Sequence, residues 1–229
     1  LCGIAYYGYA LSDQYVYQAY ENWAFNQKIA GRPVIFVDYV RERTPFGFLA
    51  EGLTSTPKLV ATDVAPADKV QPSTLRPVEG SVLGRVQIGR LNLSAIVREG
   101  VDEKTLSRAV GHLPYTALPG QIGNFAIAAH RDTLFRALKD IQKEDRITFE
   151  SPAGTYIYEV ISTKIVKPSD LSVVQPQGTS KLLTMITCYP FYYIGSAPKR
   201  FIVQAKLVES HRNPHDQPNK PSTQSQKPS

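Results

Sequence analysis

The chain reads as mainly β: a closed or nearly closed barrel of short strands with short helices, preceded by an N-terminal helix and a linker. Three observations carry that class. Short runs rich in Val, Ile, Thr and aromatic residues recur between residues 81 and 208, separated by Gly- and Pro-containing turns, the pattern of a closed antiparallel-rich sheet. Arg146–Glu150 and Thr155–Ile161 flank Ser151-Pro152-Ala153-Gly154, a hairpin signal. Along Arg200–Leu207, Phe201, Val203, Ala205 and Leu207 share one face, while Arg200, Gln204 and Lys206 share the other with Ile202.

Taken in order, residues 1–11 are apolar and uncharged, with three tyrosines. Eleven residues are too few to span a bilayer, and the rings suit a headgroup boundary. The segment 1–30 is therefore expected to be helical and the end of a membrane anchor; a soluble amphipathic helix is the alternative. Ser12–Ala30 continues the helix with Tyr15, Tyr20, Trp23 and Phe25 as packing residues, Asp13 as a candidate cap, and Gly31-Arg32-Pro33 as its stop. Residues 31–80 are rich in Pro, Thr, Ser and Ala and are expected to be a linker or tether. Only Val34-Ile35-Phe36-Val37 hints at a strand there.

The barrel domain is expected over 81–208. Arg85–Ile88 and Leu91–Val97 read as paired strands around Gly89-Arg90. Asp102 is placed to cap a short helix running to Val110, stopped by Gly111. Asn124–His130 reads as a strand. Leu134, Leu138 and Ile141 then recur at helical spacing, with Asp132 as that helix's expected cap. Lys164-Ile165-Val166 extends the second hairpin strand, Pro168–Leu171 turns, and Leu182–Cys188 is a further strand. From Glu209 onward the chain is almost devoid of apolar residues and is expected to be a disordered tail.

Composition narrows function. Residues 81–208 hold 16 Lys/Arg against 10 Asp/Glu, and the remainder 10 against 10, so the net charge of +6 lies in the barrel. No Lys/Arg cluster is interleaved with aromatics, and no nucleic-acid module is present, so nucleic acid is not an expected partner. Two cysteines make no disulfide scaffold: Cys2 and Cys188 could pair only if the chain's two ends met. No spacing suggests zinc or another cofactor.

One pairing stands out chemically. If the strands ending at Cys188 and beginning at Arg200 run antiparallel, a thiol and a guanidinium face each other. A lone Cys on a strand is ordinarily a small buried hydrophobe. A nearby cation, however, favours the nucleophilic thiolate, and Arg can also donate to a developing oxyanion. Of the four histidines, His211 and His215 lie in the polar tail, and His112 sits in a turn-rich Gly-His-Leu-Pro context suited to structure. His130, at a strand end like Cys188, is the candidate proton carrier.

These residues resemble a known family. Thr184-Met185-Ile186-Thr187-Cys188 is similar to the cysteine motif of sortases, Thr-Leu-x-Thr-Cys. Ala197-Pro198-Lys199-Arg200-Phe201 resembles the segment holding that family's arginine, and Ala128-Ala129-His130-Arg131-Asp132 its Ala-Gly-His-Arg-Asp segment. Gly111–Gly120 resembles the stretch Gly-His-x-Pro-Gly-Thr-Ala-x-Pro-Gly. The departures are Met185 for Leu, Ala129 for Gly and Tyr115 for Gly. The resemblance implies a barrel of about eight strands and a cysteine transpeptidase with His130, Cys188 and Arg200 as its site. It implies secreted substrates with a Leu-Pro-x-Thr-Gly-like sorting signal, an amine acceptor on the cell surface or another protein, and a membrane location with the catalytic domain on the extracytoplasmic side. The segments around Cys188 and Arg200 most resemble class D sortases. A cysteine peptidase on the same scaffold and an inactive peptide-binding module are the alternatives.

Overall fold

A computed structural model describes residues 2–43, 76–193 and 195–213. Eight strands close into a barrel: β1 (Val82–Ile88), β2 (Leu93–Glu99), β3 (Val110–His112), β4 (Gly123–Ala128), β5 (Arg146–Ser151), β6 (Gly154–Val166), β7 (Lys181–Tyr189) and β8 (Lys199–Arg212). Around the barrel the order is β1-β2-β3-β4-β7-β8-β6-β5, with β5 returning to β1. The β2–β3 and β4–β7 pairs are parallel and the others antiparallel. Closure leaves no free sheet edge.

The interior is filled by one side of each strand, as a period-two pattern requires. Val86, Ile88, Val97, Phe125, Ile127, Ile147, Phe149, Leu183, Met185 and Val203 are fully buried there. The alternation expected for Arg200–Leu207 holds: Val203 and Ala205 belong to the core, and Phe201 and Leu207 pack against it. Met185, where the family pattern has Leu, is buried without exposed area, consistent with a volume-similar exchange.

Turn chemistry fixes the connections. Asn92, in the left-handed region (φ 49°), closes the β1–β2 turn after a 3-10 segment at Gly89–Leu91. Asp102 caps α3 (Glu103–Leu106) by accepting from the Thr105 amide at 3.1 Å, which holds its carboxyl below the ordinary range through the Thr105 hydroxyl and amide. The helix ends at Leu106 rather than Val110, because Val110–His112 is taken into the barrel as β3. Gly120 (φ 76°) has its amide donated to the Tyr158 hydroxyl, and a Cβ there would lie 2.2 Å from the Tyr156 ring.

Four local expectations are corrected. Val34–Val37 is not a strand: α2 (Phe36–Arg43) begins within it and packs on α1 (Cys2–Ile29), with Trp23 donating to Glu42 at 2.7 Å and Tyr39 edge-on to Tyr20. Asp13 is not a cap but lies inside α1, paired with Arg108 at 2.9 Å. Asp132 caps nothing; the 3-10 segment Arg136–Asp140 starts after Phe135 without a side-chain cap. Finally, the chain stays ordered past Val208, since β8 runs to Arg212. There the β6 backbone supplies partners for residues whose side chains are polar and exposed. The remainder of the tail, and residues 44–75 of the linker, lie outside the described residues.

Helix α1 lies against the barrel through polar side chains and aromatic rings, with Arg85 over Phe25 and Arg98 over Tyr17. Gln18 accepts from the Ile96 amide at 2.9 Å and donates to the Arg108 carbonyl at 2.7 Å. Arg85 reaches Asn26 at 3.0 Å while pairing with Glu150. Trp23 and Phe25 are buried, as packing residues should be. Among the described residues, no helix is long and apolar enough to cross a membrane.

Candidate active site

The sequence-chosen residues are gathered at one end of three adjoining strands. Cys188 on β7 and Arg200 on β8 are direct partners in the antiparallel register, so their Cβ atoms lie about 5 Å apart on one face. β4 runs parallel to β7, with Ala128 opposite Ile186. His130 follows two residues past Ala128, beyond the last paired position of β4. The backbone holds it there: Ala129 N donates to Ile186 O at 3.2 Å, and Phe135 N donates to His130 O at 3.1 Å.

Strand alternation decides which way the three point. Leu183, Met185 and Thr187 face inward and are buried, which leaves Leu182, Thr184, Ile186 and Cys188 on the outer side. Arg200 shares that side with Ile202, Gln204 and Lys206. The thiol is half-buried and the imidazole residue exposed. Thr187, next to the cysteine but on the opposite face, donates to the Ala129 carbonyl at 2.8 Å. It thereby staples the cysteine strand to the histidine segment without facing the site.

Arg200 is partly spent on its own loop, with Nη1 donating to Ala197 O at 3.2 Å and Lys199 O at 3.1 Å. These bonds hold one corner of the guanidinium, while Nε and Nη2 make no hydrogen bond to another described residue. The three side chains are a thiol, an imidazole and a guanidinium, the group types that thiol-based acyl transfer draws on. Among the described residues, no group of three or more His, Cys, Asp or Glu could hold a metal ion.

Three features escaped the sequence reading. His112 was read as structural from its turn context, but its partner was not: Nδ1 meets Glu99 Oε2 at 2.5 Å, and Nε2 meets Thr116 Oγ1 at 2.8 Å. The Val173 carbonyl accepts from Asn124 at 2.9 Å, Thr184 at 3.3 Å and Gln204 at 3.4 Å, side chains of three neighbouring strands. This node pins the 3-10 segment Leu171–Val174 over the outer face that bears Cys188. Arg131, directly after His130, donates to Tyr193 O and Gly195 O in the β7–β8 loop. Only Thr184 carried any signal, as a polar residue inside an apolar strand.

A closed barrel with a thiol, an imidazole and a guanidinium at the ends of adjoining strands has the form of a cysteine acyl-transfer enzyme. The chain belongs to the sortase family, whose domain model matches residues 86–208, and it is a cysteine transpeptidase of that family. It is similar to sortase D of Bacillus subtilis strain 168, with 35% identity over 136 residues, covering 59% of this chain and 69% of that protein. A Clostridium perfringens sortase D5 transpeptidase superposes with a TM-score of 0.54 at 28% identity, covering 58% of this chain and 83% of that one. The SrtA sortase of Actinomyces oris gives a TM-score of 0.57 at 27% identity, covering 66% and 93%. The class D resemblance seen around Cys188 and Arg200 agrees with the first two.

Proposed function

We propose that Cys188, His130 and Arg200 are the reacting groups of this transpeptidase and that its substrates are secreted proteins with a Leu-Pro-x-Thr-Gly-like sorting signal. The Cys188 thiolate attacks a peptide carbonyl carbon in the signal, and the oxygen takes up the negative charge beside Arg200. The C–N bond breaks as protonated His130 gives its proton to the leaving amine, and a thioester on Cys188 remains. An incoming amine attacks that thioester, His130 accepts its proton, and the thiolate leaves. The acyl group ends on an amine of the cell surface or of another protein. Residues 1–30 meet the membrane, and the barrel lies on its extracytoplasmic side.

The carrying observation is the direct opposition of Cys188 and Arg200 in the β7–β8 register, on the same outer face as the pinned Leu171–Val174 segment. The test is cleavage and transfer of a Leu-Pro-x-Thr-Gly peptide with and without an amine acceptor. Acceleration by the amine, product joined to it, and loss of both in Cys188→Ala are expected. Release to water alone, indifferent to amine, would replace the reading with a peptidase. Binding without turnover would replace it with an inactive module.

A further inference from the structure

The residue after His130 reaches across to the loop that follows Cys188. Arg131 Nη2 donates to the Tyr193 carbonyl at 2.6 Å and to the Gly195 carbonyl at 3.1 Å. Its guanidinium carbon also sits 5.8 Å from the Tyr193 ring centroid. Five residues on, Arg136 sits 5.6 Å from the neighbouring ring of Tyr192. Two cations of the His130 segment therefore hold two successive tyrosines at the loop's tip, by charge-assisted bonds and cation–π contact.

The root of the same loop is held separately. Phe191 packs edge-on to Phe201 at 5.3 Å and to Tyr189 at 6.1 Å. This loop leaves from Cys188 and returns to Arg200, so whatever fixes its tip bears on both residues. Arg131 Nη1 is buried and bonds to no described residue, so both bonds of the latch come from one nitrogen.

We propose that Arg131 is a positioning residue for transpeptidation, latching the Tyr189–Pro198 loop to the His130 segment and so setting the spacing between His130 and the Cys188–Arg200 pair. The proposal rests on those three being the reacting groups. It differs from simple loop anchoring because displacement of the acid–base partner changes the chemical step more than the binding of the signal.

The experiment compares wild type, Arg131→Met and Arg131→Lys for kcat, KM, the pH profile of kcat/KM and Tm, using a Leu-Pro-x-Thr-Gly peptide and an amine acceptor. Met keeps the length of the stem but donates nothing; Lys offers a single nitrogen able to reproduce both bonds. Arg131→Met is expected to lower kcat by about tenfold or more, as a misplacement near 1 Å would, with KM for the peptide changed less than about threefold. Its pH profile should shift, since that profile reports the free enzyme's acid and base. Arg131→Lys should recover most of kcat and the wild-type profile.

An unchanged kcat in Arg131→Met, a lower kcat with an unshifted profile, or no recovery by Lys would each overturn the latch. Should Arg131→Met fail to fold, Arg131→Gln, shorter and uncharged, takes its place in the same comparison: kcat should fall with a shifted pH profile, and unchanged rates would overturn the latch. Cys188→Ala separates the two levels: transfer surviving in that variant would sink the assignment of the site itself.

Discussion

Two histidines lie on neighbouring parts of the same sheet and occupy opposite environments. His112 ends β3, is 2% exposed, and is engaged at both ring nitrogens by Glu99, Thr116 and the Ala117 carbonyl. His130 lies just beyond β4, is exposed, and its ring bonds to no other described residue. A ring fixed at both nitrogens ties a loop down and has no site left for a substrate proton. A ring bonded to no other described residue keeps both nitrogens open to a substrate. The difference arises from chain geometry: β3 delivers its side chain among buried partners, whereas β4 ends two residues before its histidine.

Substitution of each histidine should separate the two roles. His130→Ala is expected to reduce transpeptidation by about 1000-fold, the middle of what a general acid–base group contributes, with Tm nearly unchanged by thermal melts. His112→Ala should do the reverse. It leaves the buried Glu99 carboxylate without its partner, which costs about 3 kcal/mol, read as a fall in Tm or in the denaturant midpoint, while protein that remains folded stays active. Activity lost equally in both variants without unfolding would erase the contrast.

A smaller effect is expected at the Val173 node. Thr184→Val keeps the shape but removes the hydroxyl shared by Asn124 and the Val173 carbonyl. The lost bonds cost about 1–2 kcal/mol and loosen the Leu171–Val174 segment over the outer face. KM for the signal peptide should rise severalfold, by about the factor this energy allows, with kcat less affected.

The smallest effect lies far from the site. Arg90 grips Asp145 at 2.5 Å and holds its carboxyl below the usual range. A carboxyl that binds its proton more weakly when folded stabilises fully above the unfolded pKa, about 3.9, and loses that contribution as pH falls through the lower folded value. Asp145→Asn should therefore narrow the gap in Tm to wild type as solutions are acidified below about pH 4.

The barrel and the Cys188–Arg200 pairing on it are legible in the sequence because both are written in local patterns. Alternation, turn residues and a Cys, a His and an Arg at strand ends need no long-range knowledge. The short run Val110–His112 reads in the sequence as a helix end at Val110 followed by a turn, because three residues cannot declare a strand; its place is set by parallel pairing with β2. The β8 extension through Arg212 was hidden because its side chains are polar, and only the backbone partners on β6 hold it. The Gln18 and Gln14 contacts of α1 were equally invisible, since a buried glutamine is recognised only once its distant partners are in place.

Tyr115 adds a position where the family pattern explains itself. It occupies the left-handed region at φ 69° and is 86% exposed, with Arg76 over its ring at 4.5 Å. Glycine adopts this backbone freely, whereas tyrosine does so at a cost of about 1 kcal/mol. Nothing in the described structure explains why tyrosine stands there.

The measurement that bears most directly on the central assignment is intact-mass spectrometry of the protein mixed with a Leu-Pro-x-Thr-Gly peptide and then with an amine. A single acyl adduct mapped to Cys188, absent in Cys188→Ala and discharged onto the amine, is the expected result. An adduct on another residue, or turnover that persists in Cys188→Ala, would contradict it.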